Sequence, residues 1–155
     1  SMGACIENLK KKNLFESLKL SFSEKPYLGI CLGLQVLFSL SEESIDSEGM
    51  NIFSGKVERF TENENFKIPH MGWNQVVFKK KHFVNKNIPN SSNFYFVHSY
   101  ASKELKKDNI LAETTHGELF NSAVIQDNII GVQFHPEKSG AQGLKFLENF
   151  INWKI

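Results

Sequence analysis

The chain has 155 residues, 18 of them Lys or Arg and 17 Asp or Glu, giving a formal charge of +1, and 41% of the residues are apolar. That length predicts one domain able to bury its own core, and the balanced charge leaves no footprint for nucleic acid or an acidic membrane surface. Cys5 and Cys31 are too few for a disulfide scaffold or a four-thiolate zinc site, and no run has signal-peptide or membrane-span length, so a soluble, cytoplasmic protein is expected.

Ile6, Leu9, Leu14, Leu18 and Phe22 recur at roughly helical spacing, with Lys10, Lys11, Lys12 and Lys19 between them, which predicts one or two amphipathic helices with a wet basic face. After Pro26, Tyr27 to Cys31 reads as a strand covered on both faces, and Leu34, Val36, Leu37, Phe38 and Leu40 as a buried helix, making a strand-turn-helix unit. Ser41 to Gly49 is acidic and polar and reads as a loop. Lys56 to Phe60 and Gln75 to Phe78 read as strands, as do Asn93 to His98 and Ile110 to Thr115. Ser122 to Gln126 and Ile129 to Phe134 flank Asp127-Asn128, residues that tolerate positive φ, which predicts a tight hairpin. Beyond Pro136, the spacing of Ala141, Leu144, Leu147, Phe150 and Ile151 predicts a helix ending near Trp153. Strands mixed with early and late helices, without repeat or linker, make an α/β domain over 1–155.

Gly29-Ile30-Cys31-Leu32-Gly33 sets glycines on both sides of a cysteine where a strand should turn sharply into a helix. Such an elbow forces its central residue into a strained conformation, and the flanking glycines remove Cβ atoms that would clash. A thiol there sits at a helix N-terminus, which favours the thiolate, and the N–H of Leu32 points toward a developing oxyanion. Taken alone, the five residues read equally well as a buried strand cysteine between packing glycines. Of the five histidines, His135 is best placed as a base, in the run Phe134-His135-Pro136-Glu137, with Glu137 near enough to hold its tautomer.

The stretch Gly29-Ile30-Cys31-Leu32-Gly33-Leu34-Gln35, taken with Phe134-His135-Pro136-Glu137, resembles the signature pair of class I, triad-type glutamine amidotransferases. Pro69-His70-Met71-Gly72-Trp73-Asn74, Tyr95-Phe96-Val97-His98-Ser99-Tyr100 and Lys138-Ser139 make the chain most similar to glutaminase subunits of imidazole glycerol phosphate synthase, essentially from Ser1 to Trp153. The resemblance implies a three-layer α/β fold with a mixed, largely parallel central sheet. It implies hydrolysis of L-glutamine through a glutamyl thioester on Cys31, with His135 as base and then acid and Glu137 orienting it. Ammonia would pass to a (β/α)₈-barrel cyclase subunit, held as a heterodimer, for imidazole glycerol phosphate formation in histidine biosynthesis.

By the same resemblance, Gly29, Leu32, Gln35, Glu43, His98, Ser99 and Tyr100 would line the substrate site, and Met71, Trp73, Tyr95 and Lys138 would face the cyclase. Against those roles, Trp73 and Tyr95 also read as core aromatics, Glu43 as a solvated loop acid, His70 as a positioning residue, His82 and His116 as surface residues, and Cys5 as packing. Neither metal nor cofactor is expected, since there is no Gly-rich phosphate loop and the histidines lack ligand spacing. The family's chains begin earlier, with strands ending in a Pro-Gly-Val-Gly turn that supplies a second oxyanion donor, so the resemblance implies that the N-terminal part is missing here. A chain without that donor is expected to be slower by on the order of 10²- to 10³-fold. A paralogue feeding ammonia to another acceptor, a docking module without turnover and a peptidase-type cysteine hydrolase are the competing readings.

Overall fold

Two glycines face each other across the first strand pairing, and they decide how closely the first helical turn can pack on the sheet. The computed structural model describes residues 1–62 and 64–155. Strand β1 (Tyr27–Ile30) runs parallel to β9 (Ile129–Val132), with Gly29 opposite Gly131. A Cβ on Gly29 would lie 2.2 Å from the Gly33 carbonyl oxygen, and one on Gly131 would lie 2.8 Å from Leu34 Cδ1. The helix that follows Cys31, α3 (Leu32–Gln35), therefore sits directly on these two strands.

That helix is a single turn. The expected longer helix through Leu40 is replaced by strand β2 (Phe38–Ser41), which pairs in parallel with β3 (Phe53–Arg59); β3 pairs in turn with β6 (Tyr100–Ser102), antiparallel. The apolar run reads as helical, but pairing with β3 makes it a strand, and a register shift between Phe38 and Leu40 lets Phe38 be fully buried while Leu40 is half exposed. Neither β2 nor β6 was expected, and together with β3 they form a second sheet of three strands.

The larger sheet has the order β1-β9-β8-β7-β4-β5, with β4 His70–Phe78, β5 Ser92–His98, β7 Ile110–His116 and β8 Glu118–Gln126. It is mixed, as expected, but not largely parallel: among the described residues β1/β9 is its only parallel pairing. Short connections make the difference, since a tight turn can join only antiparallel neighbours. Asp127 at φ 50° and Gly117 at φ 71° sit in two such turns, on either side of β8. Within this sheet β1 is an edge strand, so Cys31 emerges at its margin.

Helices cover both faces, giving the expected three layers. On one side α1 (Met2–Lys11), α2 (Phe15–Ser21), α3 and the small sheet enclose Met2, Ile6, Leu34, Leu37, Phe38 and Val124. On the other, α4 (Gly140–Asn152) drives Phe146 among Phe94, Phe96, Phe134 and Val132. The loop after β2 is also structural: Glu43 accepts from the Met2 N–H at 3.3 Å and Ser44 from the Gly3 N–H at 3.0 Å, supplying partners that the first turn of α1 lacks.

Candidate functional site

Cys31 occupies the tip between β1 and α3 with φ 51° and ψ −102°, a conformation that costs a non-glycine residue energy and must be held by its surroundings. Its N–H donates to the Val132 carbonyl at 2.7 Å, while its carbonyl accepts from Leu34 and Gln35 as α3 begins. Only one of the two flanking glycines is sterically required. Gly29 could not carry a Cβ, whereas one on Gly33 would meet nothing nearer than the Tyr27 hydroxyl at 3.7 Å.

The sulfur is half-buried, and burial pushes the Cys31 thiol up from its ordinary pKa. The Leu32 N–H and the Gln133 side-chain amide, whose Nε2 lies 3.6 Å from Sγ, pull the other way, and the fields of Glu137 and Glu43 push up again. The expected thiolate-favouring helix terminus is thus outweighed, because one turn carries little dipole and desolvation acts on the whole charge. A resting thiol in this setting needs a base.

His135 follows β9, the neighbour of the Cys31 strand, and its N–H donates to the Tyr95 carbonyl at 2.8 Å. Its Nδ1 lies 2.6 Å from Glu137 Oε1, which assigns the proton to Nδ1 and leaves Nε2 with a lone pair. Nε2 is buried and has no hydrogen-bond partner among the described residues. Such an atom normally finds one, and an imidazole held this way by a carboxylate is prepared to take a proton. Pro136 and Glu137 lie in a single 3₁₀ turn (Pro136–Lys138), and Ser139 ties it down: its hydroxyl donates to the His135 carbonyl at 2.6 Å and accepts from the Tyr95 N–H at 2.9 Å.

Of the residues expected to line a substrate site, Gln35 is buried and donates to the Tyr100 carbonyl at 3.1 Å and to Gln133 Oε1 at 3.3 Å. His98, also buried, donates from Nδ1 to the same carbonyl at 2.8 Å. The Ser99 carbonyl accepts from the Phe60 N–H at 3.1 Å. Glu43 is exposed and acts on Cys31 through its field while capping α1.

Met71 and Trp73 are 63% and 58% exposed on β4, so Trp73 is not a core aromatic. Trp73 pairs across the sheet with half-buried Tyr95 at a 6.1 Å ring separation, and Lys138 is exposed in the turn after His135. His116 is not a surface residue; it is half-buried and stacks on buried His70 at 4.1 Å. His82 is half-buried too, edge-on to Trp153. Sequence reasoning passed over Gln133, and it quoted Ser139 within the Lys138-Ser139 stretch without giving it a role. Gln133 carried a usable signal, as a lone polar side chain inside the apolar run Ile129 to Phe134.

An elbow cysteine, a carboxylate-held imidazole and a three-layer mixed fold are the arrangement that nucleophilic thiol chemistry requires. The chain matches the family model "Glutamine amidotransferase class-I" over residues 7–153. It belongs to the class-I glutamine amidotransferase family. Among curated relatives it is 43% identical over 152 residues to an imidazole glycerol phosphate synthase subunit HisH from Hydrogenovibrio crunogenus, covering 97% of this chain and 71% of the relative. It is 45% identical over 153 residues to imidazole glycerol phosphate synthase subunit HisH 2 from Methanococcus maripaludis, covering 97% and 75%. Among solved structures, a crystal structure of a glutamine amidotransferase superposes with a TM-score of 0.68 at 16% identity, covering 97% of this chain and 75% of that one, and supports the fold.

Proposed function

We propose that this chain is the glutaminase subunit of an imidazole glycerol phosphate synthase, releasing ammonia from L-glutamine for a cyclase subunit in histidine biosynthesis. The observation that carries the reading is the His135 ring, with Nδ1 on Glu137 and Nε2 buried and unpartnered, on the strand beside an elbow cysteine. Similarity to HisH subunits across nearly the whole chain supports the pathway.

In the first half-reaction His135 Nε2 takes the Cys31 thiol proton as the sulfur attacks the side-chain carboxamide carbon of glutamine. The oxyanion forms against the Leu32 N–H, which in the resting site points at the sulfur. The C–N bond then breaks, and His135 returns the proton to the leaving nitrogen, releasing ammonia and leaving a glutamyl thioester. Water, deprotonated by the same Nε2, attacks the thioester; the C–S bond breaks, glutamate leaves and the proton returns to sulfur. Both Gln35 amide protons are committed, so this side chain offers the substrate only its carbonyl oxygen, an acceptor suited to an ammonium group.

Met71, Trp73, Tyr95 and Lys138 form the proposed cyclase-facing patch: two exposed apolar side chains, a half-buried tyrosine and a cation directly after the catalytic turn. A one-to-one heterodimer in the cytoplasm follows from this reading. The test is intact-mass spectrometry after a diazo-ketone glutamine analogue, with and without a (β/α)₈-barrel cyclase subunit. One adduct that disappears in Cys31→Ala supports the glutaminase; no adduct even with the cyclase bound leaves a docking module as the function.

A further inference from the structure

Six groups between strand β4 and the Cys31 sulfur are joined by hydrogen bonds, and their donor directions can be assigned from fixed points. Backbone carbonyls only accept, so the Tyr100 carbonyl requires a proton on His98 Nδ1 and orients the Gln35 amide with Nε2 toward it. The Thr115 carbonyl likewise fixes Asn74 Nδ2 as a donor, at 2.9 Å. His98 Nε2 then accepts from His70 Nδ1 at 3.0 Å, and His70 Nε2 accepts from Asn74 Nδ2 at 3.1 Å. On the other side of Tyr100, Gln35 Nε2 donates to Gln133 Oε1, which leaves the Gln133 NH₂ facing Sγ at 3.6 Å. Every bond has one donor and one acceptor with both imidazoles neutral, and the other neutral tautomer of His98 would turn its Nδ1 contact with the Tyr100 carbonyl into two facing acceptors.

We propose that His70 and His98 are positioning residues for Cys31: they fix the place of the Tyr100 carbonyl to which the Gln35 amide is bonded, and Gln35 holds the Gln133 amide with its donors toward the sulfur. The inference rests on reading Cys31 as the nucleophile. Its physical content is the placement of one shared carbonyl. If His98 no longer braces the Tyr100 carbonyl, that carbonyl and the Gln35 amide bonded to it can shift, and the Gln133 amide held by Gln35 then moves its donors off a developing thiolate. Burial supports the arrangement, since His70, His98, Gln35 and Gln133 are all at most 6% exposed and water cannot replace a lost partner. Desolvation, His116 and, for His98, His135 disfavour protonation of these rings, so both remain neutral donors near pH 7.

The experiment is the pH profile of Cys31 alkylation by iodoacetamide in the full-length protein, read at the Cys31 peptide so that Cys5 does not interfere. His98→Phe is expected to slow alkylation at pH 7.5 by about 10-fold and to move the midpoint up by about one pH unit, the size of one lost hydrogen bond to a charged group. Gln133→Leu does the same directly. His98→Asn, which keeps an amide donor near the Nδ1 position, recovers most of the loss, an outcome that general loosening of the core would not give. A folded His98→Phe with the profile of the parent protein overturns the proposal. If His98→Phe does not fold, nitrogen-15 NMR of the unmodified protein decides: Nδ1–H on both rings supports the chain, and Nε2–H on either overturns it. Iodoacetamide needs no glutamine site, so the expected profiles together with failure of the diazo-ketone to label Cys31 would sink the glutaminase reading and leave this one standing.

Discussion

Gly29 and Gly33 stand two residues either side of Cys31, yet the structure gives them opposite roles. Gly29→Ala drives a Cβ into the Gly33 carbonyl, so it is expected to cost about 1–3 kcal/mol of stability and to displace the elbow, measured by urea unfolding and by Cys31 alkylation. Gly33→Ala has room and lies in a helical turn, so it is expected to stabilise by about 0.5–1 kcal/mol. Glu137→Gln tests the proposed base. An amide nitrogen facing Nδ1 would favour the tautomer with the proton on Nε2, where it blocks proton uptake. The expected loss in glutamine turnover is on the order of 10²- to 10⁴-fold, with the fold unchanged by circular dichroism.

At the scale of elements, the proposed catalytic turn is held between β5 and α4. A Cβ on Gly143 of α4 would stand 1.9 Å from the Pro136 carbonyl oxygen, and Ser139 bonds the turn to Tyr95 of β5. Gly143→Ala is therefore expected to push the His135-to-Glu137 turn off its carboxylate contact, lowering turnover as well as thermal stability, which parallel kinetic and melting measurements would show. Strand β4 behaves differently because its two faces have separate tasks. His70 and Asn74 point into the hydrogen-bonded cluster, while Met71 and Trp73 face out. Trp73→Ala should change stability by no more than about 0.5 kcal/mol, since the ring is exposed, yet weaken cyclase binding at least 10-fold if this patch is the interface, as titration calorimetry would report.

Over the whole molecule, the two buried histidines make stability depend on pH. Burial, with the neighbouring histidines, holds the pKa of His70 down to about 3 and that of His98 to about 4, against an ordinary 6.5. The unfolded chain takes up these protons near 6.5 and the folded one does not, so this contribution is complete above pH 6.5 and is lost as pH falls toward 3 to 4. Urea midpoints should already decline between pH 6.5 and 4.5, above the ordinary range of glutamates, and His70→Phe should flatten that decline while lowering stability at pH 7. Most strands, the Asp127-Asn128 hairpin, the last helix, the elbow and the His135–Glu137 pair were legible in the amino-acid sequence, because each is set by neighbours within a few residues. Phe38 to Ser41 misled, since an apolar run of that length suits helix or strand and only β3 decides between them. The antiparallel character of the large sheet, the exposure of Trp73 and the burial of His116 depended on which strands pair. The same holds for Gln133 beside Cys31, 102 residues apart, and His70 beside His98, 28 apart. Local backbone preference and hydrophobic period are written along the chain; which buried polar groups become partners is settled only when packing removes water from both.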